Sequence, residues 1–286
     1  MIYCGRDFSD SEINLICRLI ADNPLANRIK LSRTVCELLG WLRPDGRLKE
    51  MSCRVAMIRM HNDGLIPLPP PQNKNGNGRR HANHSPHSDP PPLLFTTPAR
   101  LINNLRLEIV THKHQSYLWN ELIDRYHYLG YTPLPGAQLR YIVKSQNAVL
   151  ALFGFGASAW MTAPRDRFIG WNHQQRQNNL HLVINNARFL ILPWVQSAHL
   201  ASLLLGKITR QIADDWQNRY NYRPVLLETF VETPRFKATA YKAANWICVG
   251  QTQGRGKLGQ RKENNLPIKD IWLYPLHKRF RQFLCK

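Results

Sequence analysis

Acidic residues are scarce in this chain. Its 286 residues include 19 Asp and Glu against 39 Lys and Arg, a formal net charge of +20. Such a surface argues against an ordinary near-neutral enzyme and points first to nucleic acid, then to an anionic membrane surface, as partner. Long apolar runs are missing too. No window offers the roughly 18 apolar residues of a spanning helix, and no apolar signal segment precedes Phe8, so a soluble, cytoplasmic protein is expected. The six cysteines (Cys4, Cys17, Cys36, Cys53, Cys248 and Cys285) form no CxxC pair. They read as reduced thiols, not as zinc ligands or disulfides, and no metal site is expected from them.

Acid is absent altogether between Arg235 and Lys262, where seven Lys or Arg stand. Leu226, Leu227, Phe230 and Val231 before them read as a buried strand. Pro234 stands where a helix could begin, Ala238–Ala244 have helix propensity, and Trp246–Val249 return to a strand. The stretch then opens into Gly250, Gly254, Gly256 and Gly259, interleaved with Arg255, Lys257, Arg261 and Lys262. Glycine permits close backbone approach and cations attract phosphate, so this stretch is the expected nucleic-acid contact, joined by Arg235, Lys237 and Lys242.

The rest of the chain reads as two domains and a linker. Residues 1–66 suggest three helices: one capped by Ser9-Asp10-Ser11-Glu12, one over Ser32–Leu39 with Ser32 as cap, and one over Lys49–Asn62. In the third, Met51, Val55 and Ile58 read as the inner face, with Arg54 and Arg59 on the outer side. This suggests a helix-turn-helix or winged-helix module with Arg54 and Arg59 toward DNA; a small helical domain that contacts protein fits equally well. Pro67–Pro98 holds nine of the nineteen prolines and reads as a flexible linker that lets the two domains engage separate stretches of DNA. His81, His84 and His87 with Asp89 lie in it and lack a framework for a metal.

Residues 99–286 read as a mixed α/β domain with one central sheet. The expected elements are a strand at Leu105–Val110, a helix at Tyr117–Tyr128, and a hairpin of Leu139–Val143 with Val149–Phe155. A strand at Arg188–Leu192, a long helix at Ser197–Tyr220 and a last strand at Ile268–Tyr274 follow. Trp160 and Trp171 read as core.

Long motifs tie the chain to a family. LSRTVCELLGW, LKEMSCRVAMIRMHNDGLIPLPPP, RFLILPWVQSAHLAS and LLETFVETPRFKATAYKAANWICVGQTQGRGK resemble the DruA-like proteins, named for a component of the Druantia anti-phage defence systems and also found with mobile elements. The resemblance implies a DNA-linked role in defence or transposition, with other system components, such as a large helicase, as partners. Residues 105–275 also resemble the order of elements in GNAT acyltransferases, with Tyr241 where those enzymes place a tyrosine near the thioester. There, a glycine-bearing loop binds the pyrophosphate of acetyl-CoA; the matching Pro193–Leu200 has no glycine, so acetyl-CoA is not an expected cofactor.

A third reading is a metal-dependent nuclease or transposase, which needs converging carboxylates to clamp divalent ions. Glu228 and Glu232 share one side of a strand, and Glu228 with Asp166 could make such a site. In that reading Glu228→Ala removes strand cleavage and spares DNA binding. Carboxylates buried against Arg188 or Lys242 account for the same residues equally well. The expected order is DNA binding first, then metal-dependent processing, then acyl transfer.

Overall fold

The structure, a computed structural model, describes residues 1–72, 84–146, 148–254 and 266–286. Arg255, Lys257, Arg261, Lys262, His81 and Asn147 lie outside the described residues. The chain divides into two compact units, Met1–Arg80 and His81–Lys286.

The first unit opens with a short hairpin of β1 (Ile2–Tyr3) and β2 (Arg6–Asp7), which carried no sequence signal. Helices α1 (Asp10–Asp22), α2 (Arg28–Leu38) and α3 (Glu50–Asn62) follow. The expected capping box is formed: Ser9 Oγ accepts from Glu12 N at 3.2 Å, and Ser9 N donates to Glu12 Oε2 at 3.1 Å. The start of α2 differs from expectation. Asn27 is the cap, accepting from Lys30 N at 2.9 Å, and Ser32 is buried in mid-helix, donating to Ile29 O. The face of α3 also differs. Cys53, Ala56, Met57 and Met60 are buried, while Met51 and Val55 are exposed. Both faces of this helix carry apolar residues at helical spacing, so periodicity alone chose the wrong one. Arg59 is exposed, whereas Arg54 is half-buried.

The expected linker is shorter than its composition suggests. Leu68 N donates to His61 Nδ1 and Arg28 Nε to Pro69 O within the first unit. At the other end, Ser85 Oγ donates to Glu121 Oε2 at 2.6 Å, Tyr126 to Ser88 O at 2.9 Å, and His84 pairs with Asp124 at 3.0 Å. Phe95 bridges to Val195. Prolines preset an extended backbone that lies along a surface, and neighbouring serines supply the bonds.

The second unit is built on one seven-stranded sheet in the order β3-β4-β5-β6-β7-β9-β8. Its strands are β3 (Leu105–Ile109), β4 (Gln138–Ser145), β5 (Ala148–Ala157), β6 (Val183–Ile191), β7 (Leu226–Glu232), β8 (Ile247–Gln251) and β9 (Lys269–Pro275). The helices are α4 (Lys113–Tyr126), α5 (Ala163–Ile169), α6 (His173–Asn179), α7 (Leu200–Tyr220), α8 (Thr239–Ala243) and α9 (Phe280–Leu284). Leu200, Leu204, Leu205, Ile208, Ile212 and Trp216 recur along α7 and are buried with Leu227 and Val231 of β7. The other face of β7, through Leu226, joins Ile169, Trp171, Ile271 and Phe280. Pro234 does not begin a helix; α8 starts five residues later, after Ala238 takes a left-handed φ of 52°. Trp171 is core as expected, but Trp160 is 51% exposed.

Candidate functional site

All neighbouring strands of the large sheet are antiparallel except β6 and β7. These two pair in parallel only from Val183↔Leu226 to Asn185↔Glu228. Beyond that point β6 follows β5 and β7 follows β9, so the two strands splay apart. The gap opens a cavity of about 480 Å³, floored by Asn186, Phe189 and Thr229 and walled by residues 126–129 and 236–241.

Tyr241, singled out from sequence, lines this cavity. Its hydroxyl accepts from Asn186 Nδ2 at 3.2 Å, and its ring stands edge-on to Trp246 at 5.1 Å. Thr229 Oγ1 donates to Asn186 O at 3.0 Å, which holds the two strands where they part. Burial pushes the Tyr241 hydroxyl well above its ordinary range, against the opposing bond of Thr229. The phenol therefore keeps its proton and is not a base.

His127 and Tyr128, just past α4, carried no sequence signal. Leu129 N donates to His127 Nδ1 at 3.2 Å, which assigns the proton of the neutral ring to Nε2. Burial, with Arg188 and Lys269 nearby, pulls this histidine down to about 4. The folded state thus holds it neutral where an unfolded chain, titrating near 6.5, is already protonated. Stability should fall as pH drops from about 6.5 toward 4 and level off below, by on the order of 1–2 kcal/mol after discounting for partial exposure. His127→Gln should flatten this fall, as read by denaturant unfolding at several pH values. An unchanged profile would contradict the assignment.

Lys237 lines the cavity, and Arg235 packs over Tyr128 in its wall. Arg235, Lys237 and Lys242 are exposed on and before α8. The Arg235 guanidinium lies 5.0 Å above the Tyr128 ring, and that ring meets exposed Phe236 edge-on at 5.2 Å. Arg188, on β6, needs Gly154 opposite it: a Cβ there would stand 3.0 Å from Trp119 and 3.2 Å from Arg188 Cβ. Glu232 pairs with Arg235 at 3.4 Å and is the sole carboxylate in the Thr229–Gly254 stretch.

Glu228 and Asp166 do come together, but through arginine. Arg165 and Glu228 are both fully buried, with Nη1 2.8 Å from Glu228 Oε2. Arg165 Nε donates to Asp166 Oδ1 at 2.9 Å, and Arg176 Nη1 lies 3.3 Å from Asp166 Oδ2. Burial raises the Glu228 carboxyl, opposed by Arg165 and the Ala159 N–H. The partner of Glu228 is thus Arg165, neither Arg188 nor Lys242. Two carboxylates faced by two guanidiniums leave little affinity for a divalent ion. Among the described residues, no three His, Cys, Asp or Glu gather as a metal site.

The loop before α7 turns part of its backbone inward. Val195 N donates to Leu192 O, Gln196 N to Phe95 O and Leu200 N to Ser197 O. Three amides of Pro193–Leu200 are therefore engaged within the protein, besides the lack of glycine.

The family is decided by the extent of one match. Residues 59–266, from the end of α3 to the threshold of β9, fit the family described as Druantia protein DruA. The chain belongs to the DruA family. That places it among components of Druantia defence systems. No curated protein matches this DruA-family chain. Among solved structures, it is similar to an N-acetyltransferase from Staphylococcus aureus Mu50, at 10% identity over 60% of this chain and 97% of that one, TM-score 0.37. It is also similar to yncA, a candidate acetyltransferase from Salmonella typhimurium with its cofactor acetyl-CoA, at 11% identity over 49% of this chain and 66% of that one, TM-score 0.32.

Proposed function

We propose that this DruA-family protein is the DNA-binding component of a Druantia-type defence system. The observation that carries the reading is the wall of the β6–β7 cleft, where exposed Lys237 lines the cavity and exposed Arg235 lies over the Tyr128 ring beside Phe236, with exposed Lys242 following on α8. Cations that track phosphates beside aromatic rings that accept bases are the usual means of gripping nucleic acid without sequence preference. The basic stretch from Gly250 to Lys262 adds Arg255, Lys257, Arg261 and Lys262 to the same charge, and residues 225–286 together carry +8. Arg54 and Arg59 on α3 would supply a second contact from the helical unit. Other Druantia components, a large helicase among them, would meet this protein on the same DNA.

Two other readings rank lower. Metal-dependent cleavage draws on Glu228 and Asp166, which are bonded to arginines. Acyl transfer draws on Tyr241 in the splay of two parallel strands, and three amides of the loop that would hold a pyrophosphate are engaged within the protein.

The test is Arg235→Ala/Lys237→Ala/Lys242→Ala in fluorescence anisotropy with a labelled duplex. Affinity should fall roughly tenfold or more, equally across sequences, and the slope of log K against log salt should shrink by roughly 2–3. Wild-type affinity in the folded variant would refute the assignment of this surface.

A further inference from the structure

The cleft between β6 and β7 holds polar groups that the fold itself leaves unanswered. Asn186, on its floor, is 3% exposed, and its Oδ1 has no hydrogen-bond partner among the described residues. The residue is held in place. Its Nδ2 donates to the Tyr241 hydroxyl at 3.2 Å, and its carbonyl accepts from Thr229 Oγ1 at 3.0 Å. A buried acceptor left unpaired is costly, so one that lines a cavity points to a bond completed from outside. His127, in the wall, supplies the complementary group. Its Nδ1 accepts from Leu129 N, and the neutral ring keeps an Nε2–H that no described residue accepts. Beyond Asn185↔Glu228 the facing edges of the two strands have also lost their ladder.

The remaining surface of the cavity is aromatic and free of acid. Phe189 lies on the floor, fixed by stacking on Phe153 at 4.3 Å. Tyr128 and Phe236 meet edge-on in the wall and are 37% and 44% exposed, so two large rings are left uncovered beside a cavity. Lys237 lines the same wall, Arg235 lies over Tyr128, and no described carboxylate lines the cavity. Its volume of about 480 Å³ falls within the range of small-molecule sites. These features together ask for a planar ring with a donor and an acceptor on its edge, and a negative charge outside the ring. An acyl chain would leave Asn186 and His127 unanswered. An inorganic anion would leave the aromatic rings uncovered.

We infer that the cleft receives a single nucleotide, with its base among Phe189, Asn186 and His127 and its phosphate toward Arg235 and Lys237. The inference rests on the DNA-binding reading and deepens it, from a surface grip on a strand to capture of one base. A base taken out of a stack is read by hydrogen bonds to its pairing edge and by contact with aromatic side chains. Asn186 Oδ1 answers a donor on that edge and His127 Nε2–H an acceptor. Every base presents both, so the pair demands a base without demanding a particular one. A free nucleotide carries the same chemistry as a base extruded from a strand. An unpaired base in single-stranded DNA is the cheapest to extrude.

The experiment uses the full chain, a labelled single-stranded oligonucleotide, the same strand made abasic throughout, and free dAMP. Wild-type protein should bind the intact strand roughly 5- to 150-fold more tightly than the abasic one, the range for one base held against aromatic side chains. Asn186→Leu removes the open acceptor and should erase most of that difference. Its salt slope should match wild type, because no phosphate contact is lost. Ala187→Phe places a ring at the cavity without removing any polar group and should erase the difference as well. It keeps the test valid if Asn186→Leu fails to fold, with the melting temperature as the control for both. If wild type binds intact and abasic strands alike, or folded Ala187→Phe keeps the full difference, the inference is overturned and DNA binding stands. If wild type binds neither strand but binds dAMP, and Ala187→Phe abolishes that binding, the cleft takes a free nucleotide and the DNA-binding reading fails alone. If it binds no strand and no dAMP, both fail.

Discussion

Glu228→Ala should lower the melting temperature of the second unit by roughly 6–20 °C. Removing one partner of a fully buried ion pair leaves the other charge uncompensated, at a cost of about 3–5 kcal/mol, and a unit of this size loses roughly 2–4 °C per kcal/mol. Here the residual charge is Arg165, which keeps Asp166 but loses its 2.8 Å contact to Glu228. The Ala159 amide loses its acceptor as well. Glu228→Gln keeps an acceptor for that amide and should cost less. Replacing the pair together, Arg165→Met/Glu228→Leu, should recover most of the loss, because no buried charge is then left alone. Calorimetry on the three variants gives the ranking; an Ala variant that melts within about 2 °C of wild type would contradict the buried-pair account.

Arg255→Ala/Lys257→Ala/Arg261→Ala/Lys262→Ala should have the largest effect on binding. Four phosphate contacts, each releasing counterions, contribute roughly 0.9 each to the slope of log K on log salt, so the slope should fall by roughly 3–4 units. Affinity near physiological salt should drop on the order of 100-fold, with no change in any base preference, because phosphate contacts position and base contacts specify. Arg54→Ala/Arg59→Ala should behave differently if α3 lies in a major groove: sequence preference relaxes while the slope changes little. Four residues from a glycine-rich stretch should leave the melting temperature nearly unmoved. A folded variant with wild-type affinity would reduce the stretch to a solvated turn.

How much of this was legible in the sequence depended on whether the signal was local. Strand β7 and helix α7 were readable because their apolar residues repeat along the chain, and Ser9 with Glu12 is a complete capping signal in four residues. Period-two alternation placed Glu228 on one side of β7 but could not say what covers that side. Its partner, Arg165, stands 63 residues away on α5. The same carboxylate therefore fitted a metal clamp and a buried ion pair equally well. The cleft was invisible for a related reason: it exists because β6 and β7 part after three paired residues, and no spacing in either strand encodes that parting. Tyr241 was found through a resemblance, whereas His127 and Tyr128 had no pattern to mark them. Proline content hid the anchoring of residues 84–98, since an extended segment bonded along a surface has the composition of a free linker.

The most direct test of the account is the salt dependence of duplex DNA binding by the wild-type protein, titrated from about 50 to about 200 mM monovalent salt. The account predicts a steep linear fall of log K with log salt, by roughly a thousandfold or more over that range if six or more phosphates are neutralised. Affinity that stays flat across the range, or no binding even at the lowest salt, would contradict it.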